Sequence, residues 1–387
     1  MKLFVITSAR IPGEKAESIA ILKNCEALKE QDCNIELLAP KRKDKTKNNK
    51  MEDYGILTKF SIHWLFTISL LNLSKNMLFQ KFAFVLMVTF FAISSMIQIK
   101  KDKDPEKFVL IREPFLAKIF VVFKKLLNCH LIYELHQLPR TNESKTFFEK
   151  FDAIIIISDY LRMSVESLGI DSEKIFYVHT GYDKKLFLDL DEQNISTIRN
   201  KLKIENEILI TYTGSLAEWK STNFILEASK FFRKDVKFVI VGGSIEEINK
   251  FRKKYDDKKI SFHGRVPHKM IPYYLHASDI LVMYTPPLDK IKGLSSFAPL
   301  KLLEYMAAGK PILAPELPWI KDVIKNMKNG ILFDPNSPKD LAEKIDFIID
   351  NTDIMKKISK VAKKDAENYT LEKRVNLIIK IISNIKK

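Results

Sequence analysis

Short apolar segments alternate with helical ones along this chain, and the alternation begins twice. The first series contains the strand-like runs LFVIT (3–7), NIELLAP (34–40), FVLIR (108–112), HLIYELH (130–136) and DAIIIIS (152–158). A helical repeat, AESIAILKNCEALKE (16–30), separates the first two of these runs. Apolar strands that alternate with helices are typical of a parallel sheet covered on both faces.

The second series starts at EILITYTGS (207–215). After the helical STNFILEASKFF (221–232), it continues through VKFVIVGGS (236–244), KISFHGRV (259–266), DILVMYTP (279–286), PILAP (311–315) and GILFD (330–334). A length of 387 residues suits two domains better than one core. The sequence therefore predicts an α/β protein with two doubly wound domains, joined by a polar linker near residues 185–200.

Composition narrows the class of protein further. Hydrophobic residues make up 46% and charged residues 29% of the chain, which indicates a globular protein. The three cysteines, Cys25, Cys33 and Cys129, lack metal-ligand spacing and indicate a reducing compartment. The apolar run in the N-terminal MKLFVITSARIPG is too short for a signal peptide, so we expect a cytoplasmic protein.

The formal net charge of +16 favours anionic partners. We expect no nucleic acid among them, because the sequence contains no zinc-knuckle spacing, RNP-type aromatic motif or long Arg-rich arm. Walker A, G-x-G-x-x-G, H-E-x-x-H and G-x-S-x-G motifs are also missing from the sequence. Dinucleotide binding, P-loop hydrolysis, zinc proteolysis and the usual Ser hydrolase are therefore disfavoured.

Residues 61–99 form an apolar segment that we expect to be helical. Its second half, 82–99, has 18 residues without a charge, at the lower limit of membrane-spanning length. A strongly basic loop, KRKDKTKNNK (41–50), precedes it. Three interpretations stay open: an ordinary core helix beside a solvated loop, a helix that lies on an anionic membrane surface, or a true span.

A carboxylate interrupts the apolar face of one predicted helix. In PLKLLEYMAAGKP (299–311), Pro299 is suited to the first turn and Gly309 to the C-terminal end. Glu304 lies on the apolar face, one turn after Leu300, and an unpaired buried carboxylate is costly. It could form an ion pair with Lys301, or it could accept hydrogen bonds from the hydroxyls of a sugar.

Two stretches could bind a phosphate group. In YTGSLAEWKS (212–221) a strand ends at a glycine turn, and Lys220 stands just before a helix. In LSSFAPL (294–300) Ser295, Ser296 and the amides of 297–300 precede the helix that carries Glu304. A helix N-terminus offers unpaired N–H groups to an anion, so each stretch is a candidate phosphate site.

Several long motifs, in the right order, resemble those of the family 4 retaining glycosyltransferases (glycosyl transferases group 1), which have the GT-B fold. The similar segments are ITSARIPGEKAESIAILKNCEAL, YELHQLP, AIIIISDYL, VHTGYDKKLF, YTGSLAEWKSTNFILEA, FHGRVPHKMIPYYLHASDILVMYTP, SSFAPLKLLEYMAAGKPILAPELPWIKDVI, NGILFDPNSPKDLAEKI and YTLEKRVNLIIKII. The resemblance covers the whole chain except 41–107. It implies two facing Rossmann-like domains, an acceptor-binding domain over 1–190 and a nucleotide-sugar domain over 191–365, with a helix in 366–387 that returns to the first.

The resemblance also implies an activity. Such an enzyme moves a sugar from a nucleotide-diphosphate sugar to an acceptor and keeps the anomeric configuration. No metal or other cofactor is expected, because basic residues and helix dipoles hold the leaving diphosphate. The basic loop and the apolar segment suggest a glycan or lipid-linked acceptor in cell-envelope polysaccharide synthesis. The protein would then lie peripherally on the inner face of the membrane.

Site residues follow from the resemblance, position by position. His136 would lie close to the reacting sugar, Lys220 would hold the donor phosphates, and Glu304 would bind the ribose. The other donor-binding positions are Gly214, Ser215, Arg265, Val266, Ser296, Phe297, Ala298, Pro299 and Leu300. Pro12, Gly13, Glu14, Lys15 and Ser18 would form a first-domain loop over the phosphates and the acceptor.

Two positions depart from the family pattern. Ser296 stands where the first glutamate of the E-x7-E motif would be, and Ser215 replaces the arginine that usually precedes the lysine. Without that arginine, fewer fixed cations would face the diphosphate, unless Lys301 or Arg265 compensates. Two alternatives stay open: a catalytically weak or inactive binding or scaffold protein, which the two departures permit, and an epimerase of nucleotide sugars on the same fold.

Overall fold

A computed structural model describes residues 1–13, 15–42, 51–68, 70, 74, 76–138, 144–216, 222–233, 235–254, 259–287 and 300–385. The chain divides into two compact units. Unit 1 contains 1–179 and 371–387, and unit 2 contains 180–370. The sequence analysis placed the divisions after 190 and 365. The structure has them after His179, two residues beyond the last strand of the first sheet, and after Thr370, where the final helix begins.

Unit 1 is built on a seven-stranded sheet whose strand pairs are all parallel. Its strands are β1 (Lys2–Ile6), β2 (Ile35–Pro40), β3 (Ser61–Leu65), β4 (Lys107–Ile111), β5 (His130–Leu135), β6 (Ala153–Ile156) and β7 (Ile175–Tyr177), in the order β3-β2-β1-β4-β5-β6-β7. The sequence analysis expected a helix from residue 61, and this was wrong for the described residues before Met77, where the helix begins. Residues 61–65 instead complete the sheet as its edge strand beside β2.

The helices of unit 1 are α1 (Ala16–Glu30), α2 (Met77–Lys101), α3 (Pro114–Leu127), α4 (Lys145–Phe148), α5 (Asp159–Glu166) and α14 (Leu371–Ile385). α14 buries Val375, Ile378 and Ile382 at helical spacing and packs against α1. Both helices contribute to one apolar core with strands β1, β2 and β4. The final helix of the described chain therefore belongs to the first sheet, although 191 residues of unit 2 separate it from β7.

Helix α2 is only partly covered by the rest of unit 1. The Asn76 side chain caps its first turn by accepting from the amides of Leu78 and Phe79. Among the described residues, it is the one helix long and apolar enough to cross a membrane, by length and composition only, and 39% of its most apolar stretch is buried. One face packs on β2, β3 and α3, while the other stays exposed.

Unit 2 has a six-stranded parallel sheet with helices on both faces. Its strands are β8 (Ile208–Thr213), β9 (Val236–Val241), β10 (Ile260–Gly264), β11 (Ile280–Val282), β12 (Ile312–Pro315) and β13 (Ile331–Phe333), in the order β10-β9-β8-β11-β12-β13. Its helices are α6 (Glu192–Lys201), α7 (Thr222–Ala228), α8 (Ile245–Lys254), α9 (Ile271–Ala277), α10 (Leu300–Ala308), α11 (Pro318–Lys321), α12 (Pro338–Asp350) and α13 (Thr352–Ala366). This strand order is that of a doubly wound fold, in which ligands bind at the carboxyl ends of the strands where the order reverses.

A buried guanidinium ties α14 to the sheet of unit 1. Arg374 Nη2 donates to Glu134 Oε1 at 2.6 Å, and its Nε donates to Asn24 Oδ1 at 2.6 Å. Its Nη1 donates to the carbonyls of Val178 and His179, which follow β7. Burial alone would raise the pKa of Glu134, but Arg374 and Arg112 outweigh it and hold that pKa well below its usual range.

We expect Arg374→Met to destabilise the protein by about 3–5 kcal/mol, because it leaves a buried carboxylate with too little positive charge beside it. Chemical denaturation followed by circular dichroism measures the loss. Lys380→Met removes the same charge from an exposed position of α14 and should change the free energy of unfolding by less than about 0.5 kcal/mol. Equal stabilities of the two variants would contradict this account of the network.

Candidate functional site

At the carboxyl edge of the second sheet, two glycine turns approach each other too closely for any side chain. Gly214 follows β8 and Gly242 follows β9, and a Cβ on Gly242 would lie 2.1 Å from the Gly214 carbonyl oxygen. Gly214 itself has φ +147, in the region that favours glycine. The edge therefore presents backbone, with room for a ligand to come near it. Ser215, the next residue, is half-buried.

Helix α10 is positioned against this edge by a buried tyrosine. Tyr305 is fully buried, and its hydroxyl oxygen accepts from the amide of Thr213, the last residue of β8, at 2.8 Å. The apolar residues of α10 pack inward around Tyr305. Because the helix is held there, Lys301 and Glu304, in its first two turns, come close to the Gly214 turn.

Lys301 is an enclosed ammonium group. Its Nζ lies 4.2 Å from the centre of the Tyr212 ring, and a Cβ on Gly214 would be 2.6 Å from it. Burial lowers the pKa of Lys301 to about 8, against the opposing effect of Glu304. Within the described ranges, no carboxylate lies at ion-pair distance from this Nζ. A cation in such a place is suited to an anionic ligand.

Glu304 contacts a histidine and does not form the surface ion pair with Lys301 that its sequence also allowed. Its Oε1 lies 2.8 Å from His268 Nε2, and the two side chains are 13% and 16% exposed. In the part of the chain that the structure describes, Oε2 of Glu304 takes no hydrogen bond, which leaves it available to hydroxyl donors. The sequence analysis missed His268. The segment that contains it was recognised, but its contact with α10 is a tertiary one.

The remaining donor-site predictions fall in two groups. Arg265 and Val266 follow β10 at the same carboxyl edge, with Arg265 exposed and Val266 half-buried. Leu300 begins α10 and is half-buried. Lys220, Ser296, Phe297, Ala298 and Pro299 lie outside the described residues. The structure therefore brings Gly214, Lys301, Glu304 and His268 together, with Arg265 on the same edge.

At the carboxyl edge of the first sheet, His136 is held by charged neighbours. Its Nε2 lies 2.5 Å from Glu134 Oε1, and Arg112 Nη2 lies 3.2 Å from its Nδ1. Burial and Arg112 lower the pKa of His136 to about 4, so the ring is neutral near pH 7. Arg112 Nε also donates to His136 Nε2 at 3.0 Å, so the guanidinium of Arg112 faces both ring nitrogens. Both ring nitrogens are thus used within unit 1.

The predicted acceptor loop follows β1 and is tightly anchored. Ser18 Oγ donates to the carbonyl of Arg10 at 2.8 Å, and Trp64 Nε1 donates to that of Ile11 at 3.1 Å. The Tyr54 hydroxyl donates to the carbonyl of Gly13 at 2.9 Å. A Cβ on Gly13 would be 2.4 Å from the Arg10 oxygen, so only glycine fits there.

The other predicted loop residues lie beside these anchors. Pro12 is half-buried, and Lys15 is exposed at the N-cap of α1, where its own side chain makes no capping hydrogen bond. Glu14 lies outside the described residues. Among the residues that the structure describes, no group of three or more His, Cys, Asp or Glu side chains could hold a metal ion.

A known protein family matches most of unit 2. The family "Glycosyl transferases group 1" matches residues 194–365. An uncharacterised glycosyltransferase of Methanocaldococcus jannaschii is 27% identical over 248 residues, which are 62% of this chain and 60% of that protein. An N,N'-diacetylbacillosaminyl-diphospho-undecaprenol alpha-1,3-N-acetylgalactosaminyltransferase of Campylobacter jejuni is 24% identical over 257 residues, 65% of this chain and 62% of that one. The chain thus spans about three fifths of the length of these curated relatives.

Solved structures are similar over nearly the whole chain. The Anabaena protein HepE in complex with UDP superposes with a TM-score of 0.74 at 16% identity, covering 99% of each chain. A glycosyltransferase of Rickettsia africae has a TM-score of 0.75 at 20% identity and covers 100% of this chain and 98% of its own. These likenesses show the fold, which is the predicted GT-B fold. The match over residues 194–365, together with the curated glycosyltransferase relatives, supports a group 1 glycosyltransferase family for this chain.

Proposed function

We propose that this protein is a retaining glycosyltransferase that uses a nucleotide-diphosphate sugar. The observation that carries the proposal is the placement of Lys301 and Glu304 beside the Gly214 turn, at the carboxyl edge of the second sheet. Within the described residues, Lys301 has no carboxylate at ion-pair distance and Glu304 Oε2 takes no hydrogen bond. Solved relatives of the same fold were crystallised with UDP and with UDP-glucose. That supports a nucleotide sugar as the donor.

Each residue of this cluster has a role in the proposal. Lys301 and the N-terminus of α10 bind the diphosphate, together with Lys220, and stabilise the charge that develops on it as it leaves. Glu304 Oε2 accepts hydrogen bonds from the ribose hydroxyls, while His268 keeps the carboxylate in place through Oε1. Lys301 thereby compensates for the missing arginine at Ser215.

The acceptor binds unit 1 in this proposal. Its hydroxyl attacks the anomeric carbon on the face from which the diphosphate departs, so the anomeric configuration is retained. The diphosphate takes up the hydroxyl proton as it leaves, and the cations of unit 2 offset its charge without a dedicated metal. His136 stays neutral beside Glu134 and shapes the polar edge near the reacting sugar.

We propose further that the acceptor is a lipid-linked or cell-envelope glycan on the inner face of a membrane. Helices α2 and α3 contact each other and expose an apolar surface, with lysines beside it. We define this α2–α3 surface by Leu78, Phe82, Val85, Ile93, Ile97, Val122 and Leu126, with Lys81, Lys100 and Lys125. Apolar side chains with basic neighbours suit an anionic membrane surface. The Campylobacter relative is named for a diphospho-undecaprenol substrate.

The two alternatives make different predictions. An epimerase would convert a nucleotide sugar without any acceptor, and a scaffold would bind nucleotide weakly or not at all. Incubation with a nucleotide sugar alone, followed by NMR of the sugar, separates the epimerase from the transferase. The anomeric coupling constant of a transferred sugar then tests retention.

Nucleotide binding is the first test of the donor site. A ligand at about 100 times its Kd adds about 2.7 kcal/mol to the folded state. We expect one of UDP, GDP, ADP or their sugar conjugates to raise Tm by roughly 5–10 °C. Glu304→Ala should abolish most of that shift, and Glu343→Ala, on the exposed face of α12, should leave it unchanged. No shift with any nucleotide would favour the scaffold.

The charge of Lys301 should also lower the free energy of unfolding, because the side chain is enclosed. Burial lowers its pKa from 10.5 to about 8, so in this range the unfolded chain binds the proton more strongly than the folded one. We expect Lys301→Met to raise Tm at pH 7 by a few degrees, since 1 kcal/mol corresponds to about 2–4 °C. The gain should shrink as pH rises from about 8 towards 10.5, where unfolded lysine also loses its proton.

Chemical denaturation near pH 7 and pH 9.5 measures this effect. Lys360→Met, an exposed position on α13, is the matched control and should change little at either pH. A loss of stability in Lys301→Met at pH 7 would contradict the enclosed, unneutralised cation.

Membrane binding is tested by flotation with vesicles of equal parts phosphatidylcholine and phosphatidylglycerol. We expect the wild type to float, and the triple variant Leu78→Ser/Phe82→Ser/Leu126→Ser to lose at least about 100-fold in partitioning, because each buried apolar side chain contributes about 1.5–3 kcal/mol. Leu57→Ser, at an exposed leucine of unit 1 outside the α2–α3 surface, is the control. A wild type that stays in solution would end the membrane proposal.

A further inference from the structure

A single carboxylate connects helix α14 with the histidine at the carboxyl edge of the first sheet. Glu134 lies in β5, and His136 follows two residues later, on the same side of the strand. Arg374 Nη2 of α14 donates to Glu134 Oε1 at 2.6 Å, and His136 Nε2 lies 2.5 Å from the same oxygen atom. The side chains of Glu134 and Arg374 are each 3% exposed. A displacement of Arg374 would therefore move a direct partner of His136.

Arg374 is itself held on two further sides. Its Nε donates to Asn24 Oδ1 of α1 at 2.6 Å, and its Nη1 donates to the carbonyl of Val178 at 3.1 Å and to that of His179. A guanidinium is planar and its donors point in fixed directions, so contacts on three sides leave it one orientation. A lysine ammonium at this position could not make all of these contacts at once. The guanidinium of Arg374 thus sets where the Glu134 carboxylate lies.

Three charged groups, each from a different element, face His136. Arg112, just after β4, has its Nε 3.0 Å from Nε2 of the ring and its Nη2 3.2 Å from Nδ1. Glu134 approaches from β5, and Arg374 approaches from α14. Burial, Arg112 and Arg374 lower the pKa of His136 to about 4, and Glu134 opposes them. The charge of the ring therefore depends on how far Arg374 neutralises Glu134.

We propose that Arg374 is a positioning residue: it holds the Glu134 carboxylate in place, and that carboxylate fixes the ring of His136 beside the reacting sugar. The place of the sugar rests on the proposed function. The contacts do not, because Arg374, Glu134, Arg112 and His136 all belong to unit 1. Helix α14 thereby acts on the reaction site, although none of its side chains needs to touch a substrate.

The proposed reaction needs a neutral ring at this place. As the diphosphate leaves with the bonding electrons, positive charge develops on the anomeric carbon of the sugar. An imidazolium group close to that carbon would repel the developing charge and raise the barrier, whereas a neutral imidazole does not. Arg374 keeps the ring neutral by offsetting the charge of Glu134, which would otherwise stabilise the protonated ring.

Histidine-ring NMR of the full chain between about pH 4.5 and pH 8 tests these contacts directly. His136→Gln identifies the His136 signal among the seven histidines. In the wild type we expect the ring to stay neutral down to about pH 5. Arg374→Met should raise the pKa of His136 by at least about one pH unit, because Glu134 loses its counter-charge. Arg374→Lys keeps a positive charge and should restore most of the low pKa, and Lys380→Met, at an exposed position of α14, should leave it unchanged.

A double variant keeps the test decisive if Arg374→Met does not fold. Arg374→Met/Glu134→Gln removes the buried carboxylate together with its counter-charge, so no unpaired carboxylate is left. Burial and Arg112 still act on His136, and its pKa should stay below about 5. A raised pKa in the double variant, a wild-type His136 that titrates near 6.5, or equal pKa values in Arg374→Met and Lys380→Met would each overturn the proposal.

Turnover tests whether the contacts act on the reaction. The substrate is the nucleotide sugar that raises Tm most, with water as the acceptor: water attacks the anomeric carbon, the bond to the diphosphate breaks, and the released nucleoside diphosphate is measured. The ratio of kcat at pH 5 to kcat at pH 8 should be about half as large in Arg374→Met as in Lys380→Met, with KM within about twofold, because about half of the rings are protonated at pH 5. Equal ratios would remove Arg374 from the reaction. A nucleotide sugar that is not turned over would contradict the proposed function and leave the NMR result standing.

Discussion

Parallel strands covered on both faces leave only their ends for polar chemistry, and the rest of this molecule depends on that constraint. Both sheets are parallel, and helices cover both faces of each. Charged residues and glycines therefore lie where the strands end, as at Arg112, His136 and Gly214. The two edges differ in character. The edge of unit 2 brings together the Gly214 turn, Lys301 and the Glu304–His268 contact, whereas at the edge of unit 1 Arg112, Glu134 and His136 contact one another.

Buried charges that have a counter-charge and buried charges that lack one have different roles in this protein. Arg374 makes four hydrogen bonds and neutralises Glu134, so both act as part of the core. Lys301 lies against the Tyr212 ring and the Gly214 turn, with no carboxylate at ion-pair distance within the described residues. A buried charge without a counter-charge lowers stability, so its presence points to a ligand that supplies the missing charge. The distinction depends on contacts between residues, and the net charge of +16 says nothing about such contacts.

Much of the architecture could be read from periodicity, because strands and helices leave local patterns. The two series of strands, the helix with Glu304 on its inner face and the glycine turn after β8 were all visible in the sequence. His268 was not, because its role depends on its contact with Glu304 on another element. The edge strand β3 was missed for a similar reason, since its short polar–apolar pattern becomes a strand only beside β2. The roles of Lys220 and Ser296 stay predictions.

Unit 1 is discontinuous in sequence, and this sets the order in which the molecule can be made. Its core includes Val375, Ile378 and Ile382 of α14, and Arg374 of the same helix binds the carbonyls of Val178 and His179, where the chain leaves the unit. A ribosome that has synthesised the first 179 residues has therefore produced a sheet without its last covering helix. All of unit 2, a single continuous stretch, emerges before that helix does. The second unit can thus be finished first, while one apolar face of the first stays uncovered until α14 is made.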